Sequence, residues 1–278
     1  MSMGAAFIQS RSSSVSTAGT VFDQLAAEYD QIFTDSIIGR AQRDSIWKIL
    51  TNTFKANDNI LELNCGTGED AIFLAGRGVS VFACDASQQM IARAEQRLCR
   101  KSSILPVVFC HLPTERIGEL HPELRFDGAF SNFSGLNCID DLGAVASALS
   151  DLVKPGGLLL LCFSTRFCLI EILHYLIRSQ YRKAFRRCTG HTMATLGNLQ
   201  FPVYYPTLRQ IRGHFTPQFR LRSYTGIGVA VPPSYCESWA RQHTSLFHFL
   251  CRFEQVLATI PIFRVTGDHM LLCFEKVS

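Results

Sequence analysis

Five short runs rich in apolar, β-branched and aromatic residues recur between residues 59 and 163: "NILELN", "VSVFACD", "PVVFCHL", "FDGAFSNF" and "GLLLLCF". Helix-forming or amphipathic stretches separate them. Near-continuous apolar strands alternating with helices build a parallel sheet covered on both faces, because a sheet with one wet face alternates polar and apolar positions instead. The fold class is therefore α/β. One crossover helix fits between Cys65 and Val79, and another runs from Ser87, a capping residue, to the basic end at Lys101. After Phe163 the rhythm breaks. Thr165 to Arg187 reads as one longer helix, with Leu169, Ile170, Leu173, Leu176 and Ile177 at helical spacing before Arg178, Arg182, Lys183, Arg186 and Arg187. A polar loop, "CTGHTMATLGNLQ", then leads into "FPVYYP". The alternation resumes with a helix over Thr207 to Phe215, a strand over Phe219 to Thr225, a helical stretch over Tyr235 to Ala258 and a last strand, "HMLLCFEKV".

Bulk properties narrow the function. The chain has 278 residues, 47% of them apolar and 18% charged, enough for one large core carrying an insertion. Its longest clean apolar run, Leu158 to Phe163, falls far short of the roughly 18 residues of a membrane span. A net charge of +4 is below the basic footprint of a dedicated nucleic-acid binder. The 11 cysteines include no C-x-x-C pair, which argues against a disulfide framework and a zinc site and for a reducing compartment, the cytoplasm. No metal is expected. Residues 1–20 are serine-rich without an apolar core, and so read as a flexible terminus before a domain spanning 21–278.

The chemistry concentrates in "ILELNCGTGEDA", Ile60 to Ala71. Gly66, Gly68 and Ala71 match the G-x-G-x-x-G/A pattern of a dinucleotide-binding turn, in which backbone approaches a ligand and a helix N-terminus offers unpaired N–H groups. Asp85 closes the next strand, where a carboxylate can accept both hydroxyls of a ribose. Glu62, just inside the first strand's end, decides between ligands. A carboxylate there repels a pyrophosphate but suits a ligand bearing an ammonium and a sulfonium. S-adenosylmethionine is such a ligand.

With "VFACDASQQM" following it, this stretch resembles motif I and the acidic strand of class I S-adenosylmethionine-dependent methyltransferases. "FDQLAAEYD", Phe22 to Asp30, is similar to the F-D-x-x-A-x-x-Y-D opening helix of their quinone-biosynthesis subgroup. "FDGAFSNFSGLN" sits where the family's fourth strand ends, and "LVKPGGLLLLCF" is similar to its P-G-G turn into the fifth. The resemblance spans Phe22 to Phe163 and, less closely, the final strand pair. It implies a Rossmann-like, doubly wound seven-stranded sheet, mostly parallel with an antiparallel last strand, plus a helical lid insertion at about 165–206 and a helical insertion at about 235–260. One residue departs from the pattern: Asn64 replaces the motif's first glycine. Asn tolerates positive φ best after Gly, so the turn survives.

The resemblance also implies S-adenosylmethionine as cofactor, S-adenosylhomocysteine as product and a small-molecule acceptor. Asn64, Cys65, Gly66 and Gly68 would meet the methionine moiety, Glu62 orient their turn, Asp85 take the ribose, and Ala86 and Met90 pack near the adenine. Leu112, Pro113 and Thr114 hold the place where the family often has an Asp for adenine N6, leaving that task to backbone. Ser131 and Asn132 would flank the sulfonium, with Tyr29 and Arg43 closing over the ligand. Phe133, Asn137, Tyr204, Tyr205 and His269 are the expected substrate-facing residues, and His269 and His111 the candidate bases. The basic run after Ile177 lacks the aromatic interleaving of a base-stacking platform, which argues against nucleic acid. Its apolar stripe suits a greasy acceptor or peripheral membrane contact, although packing on the core explains it with less. Oligomeric state is not legible. A nicotinamide oxidoreductase shares the turn and Asp85 but leaves Glu62 and "KPGG" without account. An aminopropyltransferase would carry carboxylates where the chain reads "SNFSGLN", and a protein holding the cofactor without turnover stays open.

Overall fold

The structure, a computed structural model, describes residues 17–196 and 199–277. The expected flexible terminus lies outside these residues up to position 16, and Thr17 to Thr20 already belong to a helix. The α-helices are α1 (Thr17–Leu25), α2 (Ile37–Thr53), α3 (Glu69–Ala75), α4 (Gln88–Cys99), α5 (Leu142–Leu152), α6 (Leu169–Ile177), α7 (Tyr181–Ala184), α8 (Leu208–Phe215), α9 (Glu237–Gln242) and α10 (Thr244–Leu257). The strands are β1 (Asn59–Leu63), β2 (Ser80–Asp85), β3 (Val107–His111), β4 (Phe126–Ser131), β5 (Val153–Ser164), β6 (His191–Leu196), β7 (Leu199–Tyr204), β8 (Phe219–Ile227) and β9 (His269–Lys276). Seven of them form one sheet in the order β3-β2-β1-β4-β5-β9-β8, and β9 runs antiparallel to both its neighbours. This is the Rossmann-like architecture expected.

Successive strand residues feed opposite cores. Leu61, Leu63, Leu159, Leu161 and Phe163 pack with Val145 and Leu149 of α5 and Phe215 of α8 on one face. Ile60, Leu160 and Cys162 pack with Ile46 and Leu50 of α2 and Ile91 of α4 on the other. Burial on both faces is why these strands are apolar at nearly every position. Local signals start the helices: Ser87 Oγ accepts the Met90 N–H at 3.1 Å, and Thr207 with Gln210 forms a reciprocal capping box.

Three segments differ from expectation. The helix read over Thr165 to Arg187 is broken in two, because Ser179 takes a left-handed φ of 57° between α6 and α7. The expected polar loop is mostly an antiparallel hairpin, with Thr192 opposite Val203 and Ala194 opposite Phe201. Its polar composition concealed the strand period. The stretch read over Tyr235 to Ala258 likewise divides at His243, whose φ of −122° and ψ of 50° leave the helical region. Among the described residues no helix is long and apolar enough to cross a membrane.

Candidate cofactor and acceptor site

The turn after β1 is built from three left-handed residues: Asn64 (φ 56°), Gly66 (52°) and Gly68 (75°). The two glycines serve different ends. A Cβ at Gly68 would stand 2.6 Å from Phe109 Cζ and 2.8 Å from Ala94 Cβ, so this glycine lets α3 start against β3 and α4. A Cβ at Gly66 would meet only Tyr29, at 3.9 Å, because that position faces a cavity. Asn64 occupies its crowded place by using its side chain as a brace. Its Nδ2 donates to Ser131 Oγ at 3.2 Å and its Oδ1 accepts from Thr114 Oγ1 at 2.9 Å, joining the ends of three strands. Gly135 makes room for it, since a Cβ there would lie 2.4 Å from Asn64 Cβ.

The opening signature "FDQLAAEYD" divides its labour between lining and clamping. Phe22 and Tyr29 line the cavity. Asp23 accepts from Ser87 Oγ (2.6 Å) and Gln89 N–H (2.9 Å) at the start of α4. Asp30 accepts from Thr67 Oγ1 (2.6 Å) and pairs with Arg97 (2.6 Å), pinning the segment to the glycine turn. Burial pushes the Tyr29 phenol up to about 12, so it stays protonated.

Asp85 ends β2 at the cavity with each carboxylate oxygen committed to a backbone donor, Gly66 N–H and Ser87 N–H, both at 2.8 Å. Burial nevertheless raises its pKa from the ordinary value, opposed by those two hydrogen bonds. Across the turn, Arg43 pairs with Asp70 at 2.7 Å and lies over the Phe133 ring at 4.8 Å. Asp70 also accepts from Trp47 Nε1 (2.6 Å) and Asn132 Nδ2 (2.9 Å). Glu62 is buried in the same neighbourhood, its carboxyl held well above the usual range by desolvation and then by the Asp70 charge, with Arg43 opposing. Arg43 Nε and Glu62 Oε2 are buried with no hydrogen-bond partner among the described residues. A buried unpaired polar atom is costly: Arg43, which lines a second concavity with Cys65, Thr67, Glu69 and Asp70, leaves its Nε unpaired, and the nearby Glu62 carboxyl, whose neutral form burial favours, leaves Oε2 unpaired. Burial also pushes the Cys65 thiol well above its ordinary value, so the turn presents no thiolate.

The main cavity, about 220 Å³, thus gathers Tyr29, Asn64, Gly66, Asp85, Ala86, Met90, Asn132 and Phe133 of the expected residues. Gly68, Ser131 and Thr114 support it from behind, and Leu112 is buried in the core. Pro113 precedes the short helical turn at Thr114–Glu119. The residues expected to face substrate mostly do not line the cavity. Asn137 is spent on backbone, donating to Tyr204 O at 2.6 Å and accepting from Ser164 N–H at 2.9 Å. Tyr205 is buried beneath Arg187, and Tyr204 has its hydroxyl on Asp140. His269 lies edge-on behind Phe133 at 5.8 Å, its pKa lowered by burial, and His111 is turned to Ala86 O at 3.0 Å.

In their place the cavity wall is Phe201 and Val203 of β7, Cys138 and Ile139, with Ser134 and Glu115 as polar groups. Phe201 and Val203 alternate with the expected Tyr204, so the hairpin's period of two selects them. Glu115 lies one residue beyond the 112–114 stretch where the family's acid is expected, which is why its position alone does not mark it. Phe133 and Ser134 take left-handed φ values of 47° and 67° in succession, a strain that places both against the cavity.

A profile described as a methyltransferase domain matches residues 61–159. The tRNA 5-carboxymethoxyuridine methyltransferase of Escherichia coli (strain K12) is 27% identical over 146 residues, 51% of this chain and 55% of that protein. The demethylmenaquinone methyltransferase of Clavibacter sepedonicus is 28% identical over 149 residues, 52% of this chain and 57% of that protein. The chain thus spans little more than half the length of these curated relatives. Among solved structures, the [4+2]-cyclase SpnF superimposes with a TM-score of 0.64 at 15% identity, covering 95% of this chain and 97% of the other, a likeness of fold.

Proposed function

We propose that the chain, whose residues 61–159 match a methyltransferase-domain profile, is a class I S-adenosylmethionine-dependent methyltransferase that transfers a methyl group to a small, largely apolar acceptor. The observation that carries the reading is the pair of buried, unpaired groups, Glu62 Oε2 and Arg43 Nε, beside the glycine turn. They match the ammonium and carboxylate of an aminoacyl group. A dinucleotide has neither. An incoming cation would return Glu62 to its ionised form, since opposite charge favours that form in a buried site.

In this reading Asp85 exchanges its contacts with Gly66 and Ser87 for ribose hydroxyls, Met90 packs on the adenine, and Glu115 accepts from its amino group. The bound cofactor supplies an electrophilic methyl on a sulfonium. The residues of this chain then position and exclude water. Asn132, fixed by Asp70, and Phe133 hold the floor, while Phe22, Ile139, Phe201 and Val203 make a dry wall against which an acceptor aligns. Such alignment can be worth on the order of 7 kcal/mol. Neither His111 nor His269 is poised as a base in this structure, which favours acceptors that need no strong one. The relative acting on tRNA favours a second reading, a nucleoside acceptor, but the apolar lining fits a small molecule better. The free cysteines suit a reducing compartment, and we place the protein in the cytoplasm. Turnover of S-adenosylmethionine with a panel of phenols, quinols, amines and tRNA tests the reading: methylated small molecules support it, whereas methylation of tRNA alone moves the acceptor class.

A further inference from the structure

Two helices outside the cavity expose apolar stripes of regular period. On α6 the stripe is Leu169, Leu173 and Ile177, spaced by four, with Ile177 83% exposed. On α10 it is Leu246, Phe249, Phe253 and Val256, spaced by three and four, and Ile262 (71% exposed) continues it. Residues flanking α9 and α10 meet α6. The Leu169 N–H donates to Thr266 O at 3.0 Å beyond the end of α10, and the His174 ring meets Tyr235 at 5.4 Å before its start.

Charge says what covers them. Between Thr165 and Arg187 the only carboxylate is Glu171, and between Thr244 and Thr266 the only one is Glu254. Both are buried and turned inward. Glu171 is bound by Arg186 (2.9 Å) and Arg187 (2.6 Å), and Glu254 accepts the N–H groups of Val229, Ala230 and Val231 at 2.6–3.1 Å. The exposed charges of the same two stretches are cations: Arg178, Arg182, Lys183 and Arg252. Apolar stripes on two stretches whose own exposed charges are all cations are complementary to lipid headgroups of negative charge with acyl chains beneath, and Asp44 of α2, near Cys251, is an exposed acid beside α10. A second copy of the chain would bring the same cations against these.

We propose that the exposed faces of α6 and α10 dock the protein on the surface of an anionic membrane. The attachment is peripheral, with Phe249, Phe253 and Ile177 at the acyl boundary and the arginines at the phosphates. It does not depend on which cofactor the cavity holds.

Co-sedimentation of the full chain with vesicles tests it, using phosphatidylcholine alone and phosphatidylcholine with phosphatidylglycerol. Partitioning onto the anionic vesicles, reduced about tenfold by Arg178→Ser with Arg182→Ser and by half-molar salt, is expected. Phe249→Ser with Phe253→Ser should abolish binding while leaving the cooperative thermal unfolding transition followed by circular dichroism in place, which shows that the variant is folded. Equal binding to both vesicle types, or binding indifferent to these variants, overturns the proposal. So does a stable dimer in sedimentation that Phe249→Ser dissociates, since the stripe is then covered by a second copy. A basic face that retains tRNA but not vesicles overturns it equally.

Discussion

The floor and the wall of the cavity are held by different forces. The floor, at the ends of β1, β2 and β4, is a mesh of buried charge and backbone hydrogen bonds: Asp85 on two N–H groups, Asn64 between Ser131 and Thr114, Arg43 with Asp70 and Asn132. The wall is apolar surface contributed by a two-stranded hairpin and two residues of a short turn. Directional groups recognise one ligand and tolerate little change. Apolar walls recognise shape and can be rebuilt. Under the proposed function the floor would take the cofactor and the wall the acceptor.

Substitutions can break or sharpen the contrast. The largest effect is expected at Arg43→Ala, which leaves Asp70 buried without its cation. A loss of about 3–5 kcal/mol in denaturant unfolding is expected, and a loss below 1 kcal/mol would show that the floor is not held by this pair. The glycines come next. Gly68→Ala forces a Cβ into Phe109 and Ala94 and should cost about 1–3 kcal/mol of stability. Gly66→Ala meets open space, so it should cost less stability yet weaken cofactor binding more; equal behaviour of the two would erase the distinction between a packing glycine and a ligand glycine. Asp85→Ala should weaken adenosine-containing ligands at least about tenfold, or about 1.4 kcal/mol, in calorimetric titration.

Glu62 supplies a pH signature. Its native pKa is raised above the unfolded value of 4.5, so the native state binds the proton more tightly than the unfolded chain. Its contribution is therefore fully present below 4.5 and declines as pH rises toward the native value. E62Q should flatten that decline in the ligand-free protein while weakening S-adenosylmethionine. A parallel pH dependence in both forms would mean that the Glu62 pKa is not raised in the native state. The smallest effect belongs to the wall: Phe201→Leu should leave cofactor affinity within about twofold while shifting the acceptor KM.

The same contrast explains what the sequence disclosed. The floor depends on short-range demands written in single residues: a left-handed φ that Asn64 and two glycines satisfy, an acid at each of two strand ends, a serine cap at Ser87. Each demand leaves a local mark. The wall depends on pairing across a hairpin whose first strand, "HTMATL", is too polar to announce itself, so the side facing the cavity became legible only once Thr192 lay opposite Val203. Helix ends failed for a related reason. Nothing in "RSQ" marks Ser179 as left-handed; the ion pair between Glu171 of α6 and Arg187 draws the chain after Ser179 back against α6. The brace role of Asn64 was half legible, its backbone being foreseeable and its partners Ser131 and Thr114 not.

Unpaired Glu62 and Arg43 near the glycine turn suit a sulfonium amino acid nucleoside better than a dinucleotide. Calorimetric titration of the full chain with S-adenosylmethionine, S-adenosylhomocysteine and NAD tests it directly. Saturable binding of the first two, lost in large part in Asp85→Ala, and no binding of NAD are expected. Binding of NAD alone would contradict it.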